Sequence, residues 1–303
     1  MPDKKKYLIL ILGPTASGKT ALSIELAQHF QTEIISTDSR QFYKRLDIGT
    51  AKPNSLELSL AKHHFIDFLE PEQYYSAGDF ERDSIKKLDE LFKEKDIVIA
   101  TGGSGLFVKA LVDGLDEMPK ANLELRARLE LDYAKNGIEF LQKELKNLNP
   151  NKWELIDQQN PQRLMRAIEM SLQGVELVNV KKIRRFETIK IGIDWPREEL
   201  YKRINLRVDM MRAKGLENEA RDLYPLKYLN ALQTVGYQEL FDYFDGKCEL
   251  EFAFDKVKQH SRNYAKRQLT WFKKDEEIIW KKASEVTEIK DFIEIICHYN
   301  KAQ

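Results

Sequence analysis

Cysteine is scarce in this chain of 303 residues: there are two, Cys248 and Cys297. They form no metal-ligand spacing and no disulfide framework, so a reducing cytoplasm is the expected setting. Long apolar runs are also missing. None approaches the ~20 residues that cross a bilayer, so no membrane partner is expected. Lys4-Lys5-Lys6 and the six apolar residues after them resemble a secretory signal. That apolar stretch is too short, however, and it enters a glycine-containing loop without a cleavage site. Net charge is absent as well, with 49 Lys plus Arg against 49 Asp plus Glu. No global field therefore marks the chain for nucleic acid, and the local distribution of charge has to be read instead. There is no internal repeat and no low-complexity segment. The remaining composition, 42% hydrophobic and 32% charged, is that of an ordinary globular protein.

What is present is punctuated early. Apolar runs at Tyr7–Leu12, 33–36 and 96–100 alternate with helix-like segments, and a fourth run follows at 189–193. Strands alternating with helices imply an α/β fold, a parallel sheet with helices on both faces. From 114 to 185 the pattern is helical without a strand. Asn160-Pro161 reads as a helix start and Gly174 as a stop. The expectation is a phosphate-loop-like core formed by 1–113 and 186–303, interrupted by an all-helical insertion at 114–185. From Arg197 onward the chain reads as helical.

The first run leads into Gly13-Pro14-Thr15-Ala16-Ser17-Gly18-Lys19-Thr20. This is a phosphate loop in its required context, after a strand and before a helix. Its N–H groups and the helix N-terminus attract anions, Lys19 adds a charge, and Thr20 offers a hydroxyl to Mg²⁺. The alternative is a chance match at a structural turn. An ATPase of this kind also needs an acidic residue at the end of a neighbouring strand. The third run ends Thr101-Gly102-Gly103-Ser104 and supplies none. The second leads into Asp38-Ser39-Arg40-Gln41, at the carboxyl edge where such sheets bind ligands. Asp38 is a metal ligand, a catalytic base, or the cap of the next segment. Arg203 and Arg207 share a helix face and suit a diphosphate, unless that face is merely solvated.

Polynucleotide signals lie elsewhere. Residues 256–274 hold seven Lys or Arg, no acid, and Tyr264, Trp271 and Phe272. This suits phosphate contact with base stacking, or equally an amphipathic helix with core aromatics. Gln162 and Arg166 share a face beside Arg163, opposite an apolar stripe of Leu164, Ile168 and Leu172, and could be offered to RNA. Lys181-Lys182-Ile183-Arg184-Arg185 adds a basic cluster.

Together these blocks resemble the bacterial tRNA dimethylallyltransferases, the tRNA isopentenyltransferase family. The resemblance rests on the phosphate loop, on 38–43 (DSRQFY), 46–53 (LDIGTAKP) and 102–106 (GGSGL), and on 160–164 (NPQRL), 235–237 (VGY) and 264–271 (YAKRQLTW). It implies transfer of a dimethylallyl group from its diphosphate to N6 of adenosine 37, with Mg²⁺ as cofactor. The partners implied are the tRNA anticodon stem-loop and dimethylallyl diphosphate, and the enzyme a cytoplasmic monomer. The loop would then hold a leaving group, which accounts for the missing acid on the third strand. Lys19, Thr20 and Arg207 would steady the departing charge, and Asp38 would accept the amine proton. Similarity places Asp38, Ser39, Arg40, Gln41 and Ser104 at the target base. It places Arg126, Gln162, Arg163, Leu164, Met165 and Arg166 against the RNA. The chain ends soon after Trp280 without the zinc-finger extension of eukaryotic relatives, which favours a bacterial type. Three rivals stand beside this reading: a transferase for free adenine nucleotides, an ATP-dependent kinase, and an RNA-binding protein with a degenerate site.

Overall fold

The computed structural model describes residues 4–116, 122–174 and 181–297. Two compact units emerge, one of Met1–Asp113 with Ile183–Gln303 and one of Gly114–Lys182. The expected insertion also covers 117–121 and 175–180, which lie outside the described residues.

The first unit is built on a six-stranded sheet: β1 (Tyr7–Leu12), β2 (Ile34–Ser36), β3 (His63–His64), β4 (Ile97–Gly102), β5 (Glu187–Ile193) and β6 (Ile279–Lys281). Every pairing is parallel, in the order β3-β2-β4-β1-β5-β6. β1 is central because all six of its residues are apolar and all six are buried. Alternation along the strand sorts them onto two faces. Leu8, Leu10 and Leu12 pack with Val98, Ala100, Phe42 and Phe80 on one side. Tyr7, Ile9 and Ile11 pack with Leu22, Leu26, Ile289 and Ile293 on the other. Each such aliphatic side chain contributes ~1.5–3 kcal/mol when fully buried. From β1 the chain crosses to β2 and β3 on one side of the sheet and later to β5 and β6 on the other. That switch leaves a crevice beyond the carboxyl end of β1, where ligands of open α/β sheets bind.

Four helices precede the second unit: α1 (Lys19–His29), α2 (Ser55–Leu60), α3 (Ala77–Leu91) and α4 (Gly105–Val112). That unit holds α5 (Leu123–Asn136), α6 (Ile138–Leu148), α7 (Pro150–Leu155) and α8 (Pro161–Leu172). After β5 come α9 (Arg197–Ala213), α10 (Leu216–Leu223), α11 (Gln238–Phe244), α12 (Leu250–Phe272) and α13 (Val286–Cys297).

Several details depart from the sequence reading. β3 and β6 were not expected, and the region after Arg197 is therefore not wholly helical. The first unit resumes at Ile183, three residues before 186. The cause is Arg184, whose guanidinium donates to the Val112 and Ala110 carbonyls and pairs with the buried Glu81 at 3.0 Å. In α8 the Asn160 side chain caps the Arg163 N–H with Pro161 in the first turn, and Gly174 follows at φ +66°. The inward stripe of α8 is Leu164, Met165 and Ile168, whereas Leu172 is exposed.

Candidate active site

The phosphate loop leaves β1 at Gly13, whose φ is +145° and where a Cβ would press to 3.0 Å from the Ile193 carbonyl. The loop is held from behind through its carbonyls. Lys19 Nζ donates to Pro14 O at 2.6 Å, Arg203 Nε to Ala16 O at 2.9 Å, and Trp195 Nε1 to Ser17 O at 2.8 Å. The Arg203 guanidinium also lies over the Trp195 ring, 4.4 Å from its centroid. Among the described residues, the N–H groups of Ala16, Gly18, Lys19 and Thr20 have no acceptor within the protein. Four unpaired amides at a helix N-terminus form a nest for an anion.

The nest opens into a cavity of about 550 Å³. Lys19, Thr20, Asp38, Ser39, Arg40, Gln41, Ser104 and Arg207 all line it. The Arg203–Arg207 pair is thus divided: Arg207 faces the cavity while Arg203 braces the loop. Burial pushes the Lys19 ammonium down to about 7, helped by the Arg207 charge and opposed by Asp38. Burial likewise lowers Arg207, again opposed by Asp38. An anion between these two cations would relieve both.

Asp38 follows β2. Thr37 fastens that corner to β4 through its N–H and hydroxyl, both directed to Thr101 O. Asp38 Oδ1 accepts the Arg40 N–H at 3.0 Å. Arg40 reaches Asn230 O at 2.6 Å, and Gln41 Nε2 reaches Thr50 O and Ala51 O at 3.3 Å. Ser39 meets the Ser104 hydroxyl through its N–H at 3.2 Å and its own hydroxyl at 3.3 Å. Burial pushes the Tyr264 hydroxyl up to about 12, and the Asp38 charge adds to the rise.

Gln268 was quoted within a motif but given no role by sequence reasoning. It is 6% exposed. Its Oε1 accepts the Thr15 N–H at 2.8 Å and its Nε2 donates to Gly103 O at 3.0 Å. It therefore ties the phosphate loop to the end of β4. A Cβ on Gly103 would stand 2.0 Å from that Nε2, so only glycine admits the clamp. The available signal was a polar residue in the inward stripe Phe254, Val257, Ala265, Phe272 of α12.

The remaining expected RNA contacts lie in the second unit. Gln162 and Arg163 are exposed. Arg126 and Arg166 converge on Glu169, which is 0% exposed, at 2.9 and 2.6 Å. Burial pushes that carboxyl up, but bonds from Arg166, the Asn122 N–H and Arg126 outweigh it and hold it below its ordinary range. Leu164 and Met165 correct the sequence reading. At 0% and 3% exposed they belong to the unit's own core with Leu141 and Leu145, so their side chains do not reach a ligand.

The donors suit Mg²⁺ only in company. No group of three or more His, Cys, Asp or Glu among the described residues would hold a metal. The Thr20 hydroxyl has no partner in the protein, and Asp38 Oδ2 accepts no hydrogen bond. Such a sparse oxygen set fits Mg²⁺ that arrives with substrate phosphates.

A parallel sheet, a phosphate loop and an aspartate across one cavity, with no acid after β4, define a phosphate-loop-like α/β enzyme that holds a phosphorylated substrate. Comparison with known proteins narrows this. A family model described as IPP transferase matches residues 41–275. The chain is 51% identical over 294 residues to the tRNA dimethylallyltransferase of Christiangramia forsetii, covering 95% of this chain and 97% of that one. It is 48% identical to that of Cytophaga hutchinsonii, with the same coverage. The full-length tRNA isopentenylpyrophosphate transferase of Bacillus halodurans superposes with a TM-score of 0.74 at 34% identity, over 97% of each chain. The chain belongs to the IPP transferase family.

Proposed function

We infer that this protein transfers the dimethylallyl group of dimethylallyl diphosphate to N6 of adenosine 37 in tRNA and releases diphosphate. The observation that carries this reading is the nest of unpaired amides facing Asp38 across the same cavity. The loop holds charge that is about to leave, and Asp38 stands where an acceptor would give up a proton. As the allylic C–O bond breaks, the loop amides, Lys19 and Arg207 stabilise the growing negative charge. Mg²⁺ held by Thr20 and the diphosphate oxygens would add a further positive charge there. The adenine amine is a weak nucleophile because its lone pair feeds the ring, and Asp38 removes its proton. The base leaves its stack to reach the site, where Ser39, Arg40, Gln41 and Ser104 surround it. Arg126, Gln162, Arg163 and Arg166 meet the RNA from the second unit. The protein works as a monomer in the cytoplasm. The free thiols of Cys248 and Cys297 suit a reducing compartment.

The direct test mixes protein, Mg²⁺, dimethylallyl diphosphate and unmodified tRNA, then weighs the digested nucleosides. An adenosine heavier by C5H8 is expected only when all are present. ATP hydrolysis without that product, or equal prenylation of AMP, would overturn the reading.

Two further outcomes follow from the loop. Gln268→Met keeps the volume but leaves the Thr15 N–H and Gly103 O unpaired. It should raise the KM for dimethylallyl diphosphate roughly tenfold with tRNA affinity unchanged, as steady-state kinetics would show. Second, an empty site with Lys19 near 7 is largely neutral at about pH 8. A bound diphosphate raises that pKa again, so the complex carries more protons than its parts. Binding should therefore take up close to one proton at about pH 8, less below pH ~6, and weaken as pH rises past about 7. Calorimetry in buffers of different ionisation enthalpy reads this directly, and no uptake at pH 8 would contradict the neutral lysine.

A further inference from the structure

Part of the active-site cavity is lined by the turn Gly49-Thr50-Ala51. The backbone there is not relaxed. Arg45 and Ala51 lie at φ +66° and +47°, a left-handed conformation that residues other than glycine keep only where their surroundings over-determine it. Bonds within the turn close it. The Thr50 hydroxyl donates to Leu46 O at 2.6 Å, the Ala51 N–H to Ile48 O at 3.0 Å, and the Lys52 N–H to Asp47 O at 3.0 Å. This winding turns three successive amides, those of Asp47, Ile48 and Gly49, toward one centre.

That centre is the Glu219 carboxylate on α10. Its Oε2 accepts the Asp47 N–H at 3.1 Å and the Ile48 N–H at 2.7 Å. Its Oε1 accepts the Gly49 N–H at 2.9 Å and the Tyr237 hydroxyl at 2.7 Å. Hydrogen bonds to an ionised acceptor are the strong ones, and here all of them converge on one side chain. Tyr237 is 0% exposed. Burial and the Glu219 charge both push its hydroxyl up, so it stays a donor. Its ring also locks the turn from the side, because a Cβ on Gly49 would stand 2.6 Å from two ring carbons. Neither Glu219 nor Tyr237 is among the described residues that line the cavity. Their effect reaches the cavity through the turn, whose Thr50 and Ala51 carbonyls accept Gln41 Nε2 at 3.3 Å.

We propose that Glu219 is a positioning residue for the target base: it sets the turn at 47–51 and, through Thr50 O and Ala51 O, the orientation of the Gln41 amide. The proposal deepens the transferase reading and rests on it in taking an unstacked adenine as the occupant of the cavity. A carboxylate 170 residues from Gly49 in sequence thereby governs how the site grips its acceptor, while the phosphate loop has its own supports.

The test compares two synthetic anticodon stem-loops, one with adenosine at position 37 and one abasic there, by fluorescence anisotropy. Wild type should prefer the adenosine RNA roughly tenfold or more. Glu219→Gln keeps the volume but turns an N–H toward the amides, and should cut that preference to about threefold. Gln41→Ala should cut it similarly, and the double variant no further, since coupled residues are not additive. With adenosine RNA, Glu219→Gln should lower kcat roughly tenfold and leave the KM for dimethylallyl diphosphate unchanged. Glu217→Gln, on the same helix and paired only at the surface with Arg221 at 2.8 Å, should match the wild type. Should Glu219→Gln fail to fold, Tyr237→Phe keeps the carboxylate and its three amides, and should lower the preference about twofold.

An unchanged preference in these variants, equal weakening of both RNAs, or a double variant that loses the product of the single losses overturns the positioning role. Binding is read without turnover. A wild type that prefers adenosine but forms no product would therefore refute the reaction and leave the preference to decide Glu219. A wild type that forms product without any preference would refute the positioning role alone, and one with neither would refute both.

Discussion

Asp38→Ala is expected to lower turnover by about 10²–10⁴-fold while tRNA still binds. The carboxylate lines the cavity with Lys19, Thr20 and Arg207. One of its oxygens is occupied by the Arg40 N–H, which aims the other toward the acceptor. Among the described residues, alanine removes the only carboxylate lining the cavity, so the amine proton would have to pass to water. The loop between β2 and Arg40 also loses one hydrogen bond, worth ~0.5–1.5 kcal/mol, too little to unfold the sheet. Asp38→Asn keeps the shape and the bond to Arg40, and should be nearly as slow. Single-turnover kinetics with pre-bound tRNA would decide. If both variants turned over normally, the proton would have another acceptor and Asp38 would serve only to cap its loop.

Lys19→Met should cost about 10²–10³-fold in kcat. This is the effect of removing one preorganised charge from a developing anion in a confined site. Lys19 Nζ is held beside the loop by its bond to Pro14 O at 2.6 Å, and bound diphosphate restores its charge before the C–O bond breaks. Arg207 remains and shares the burden, which keeps the loss below that of removing the whole cradle. The split between constants is diagnostic. An interaction made mainly with the leaving group lowers kcat and kcat/KM together, whereas one made equally with bound substrate raises KM alone.

The interior of the sheet was legible because parallel strands covered on both faces appear as unbroken apolar runs. β1 and β4 show this most plainly. The edges were not. β3 is His63-His64 and β6 is Ile279-Trp280-Lys281, too short to carry a period and held by pairing with a neighbour. The phosphate loop was legible as a local motif, and so was the place of Asp38 at a strand end. The division of Arg203 from Arg207 was not, because spacing fixes a shared face and not which carbonyl waits beyond it. Nor was Gln268, whose partner Thr15 lies 253 residues away. Leu164 and Met165 misled because a motif marks neighbours in sequence, and within one helical turn only some of them face outward.

The strand order has a consequence for the order of synthesis. β1 lies between β4 and β5, and its register with β5 pairs Tyr7 with Glu187. The second unit is a continuous segment between these partners and makes its contacts locally. It can fold as soon as it emerges, yet this shortens the loop that β5 must close by less than a factor of two. The saving is therefore under the ~0.6 kcal/mol of a doubling. Meanwhile β1, made first and wholly apolar, waits with one edge unpaired until residue 193 has left the ribosome. An open apolar edge is a template for other chains. The nascent protein is thus most prone to aggregation late in its synthesis, after the helical unit has formed and before β5 arrives.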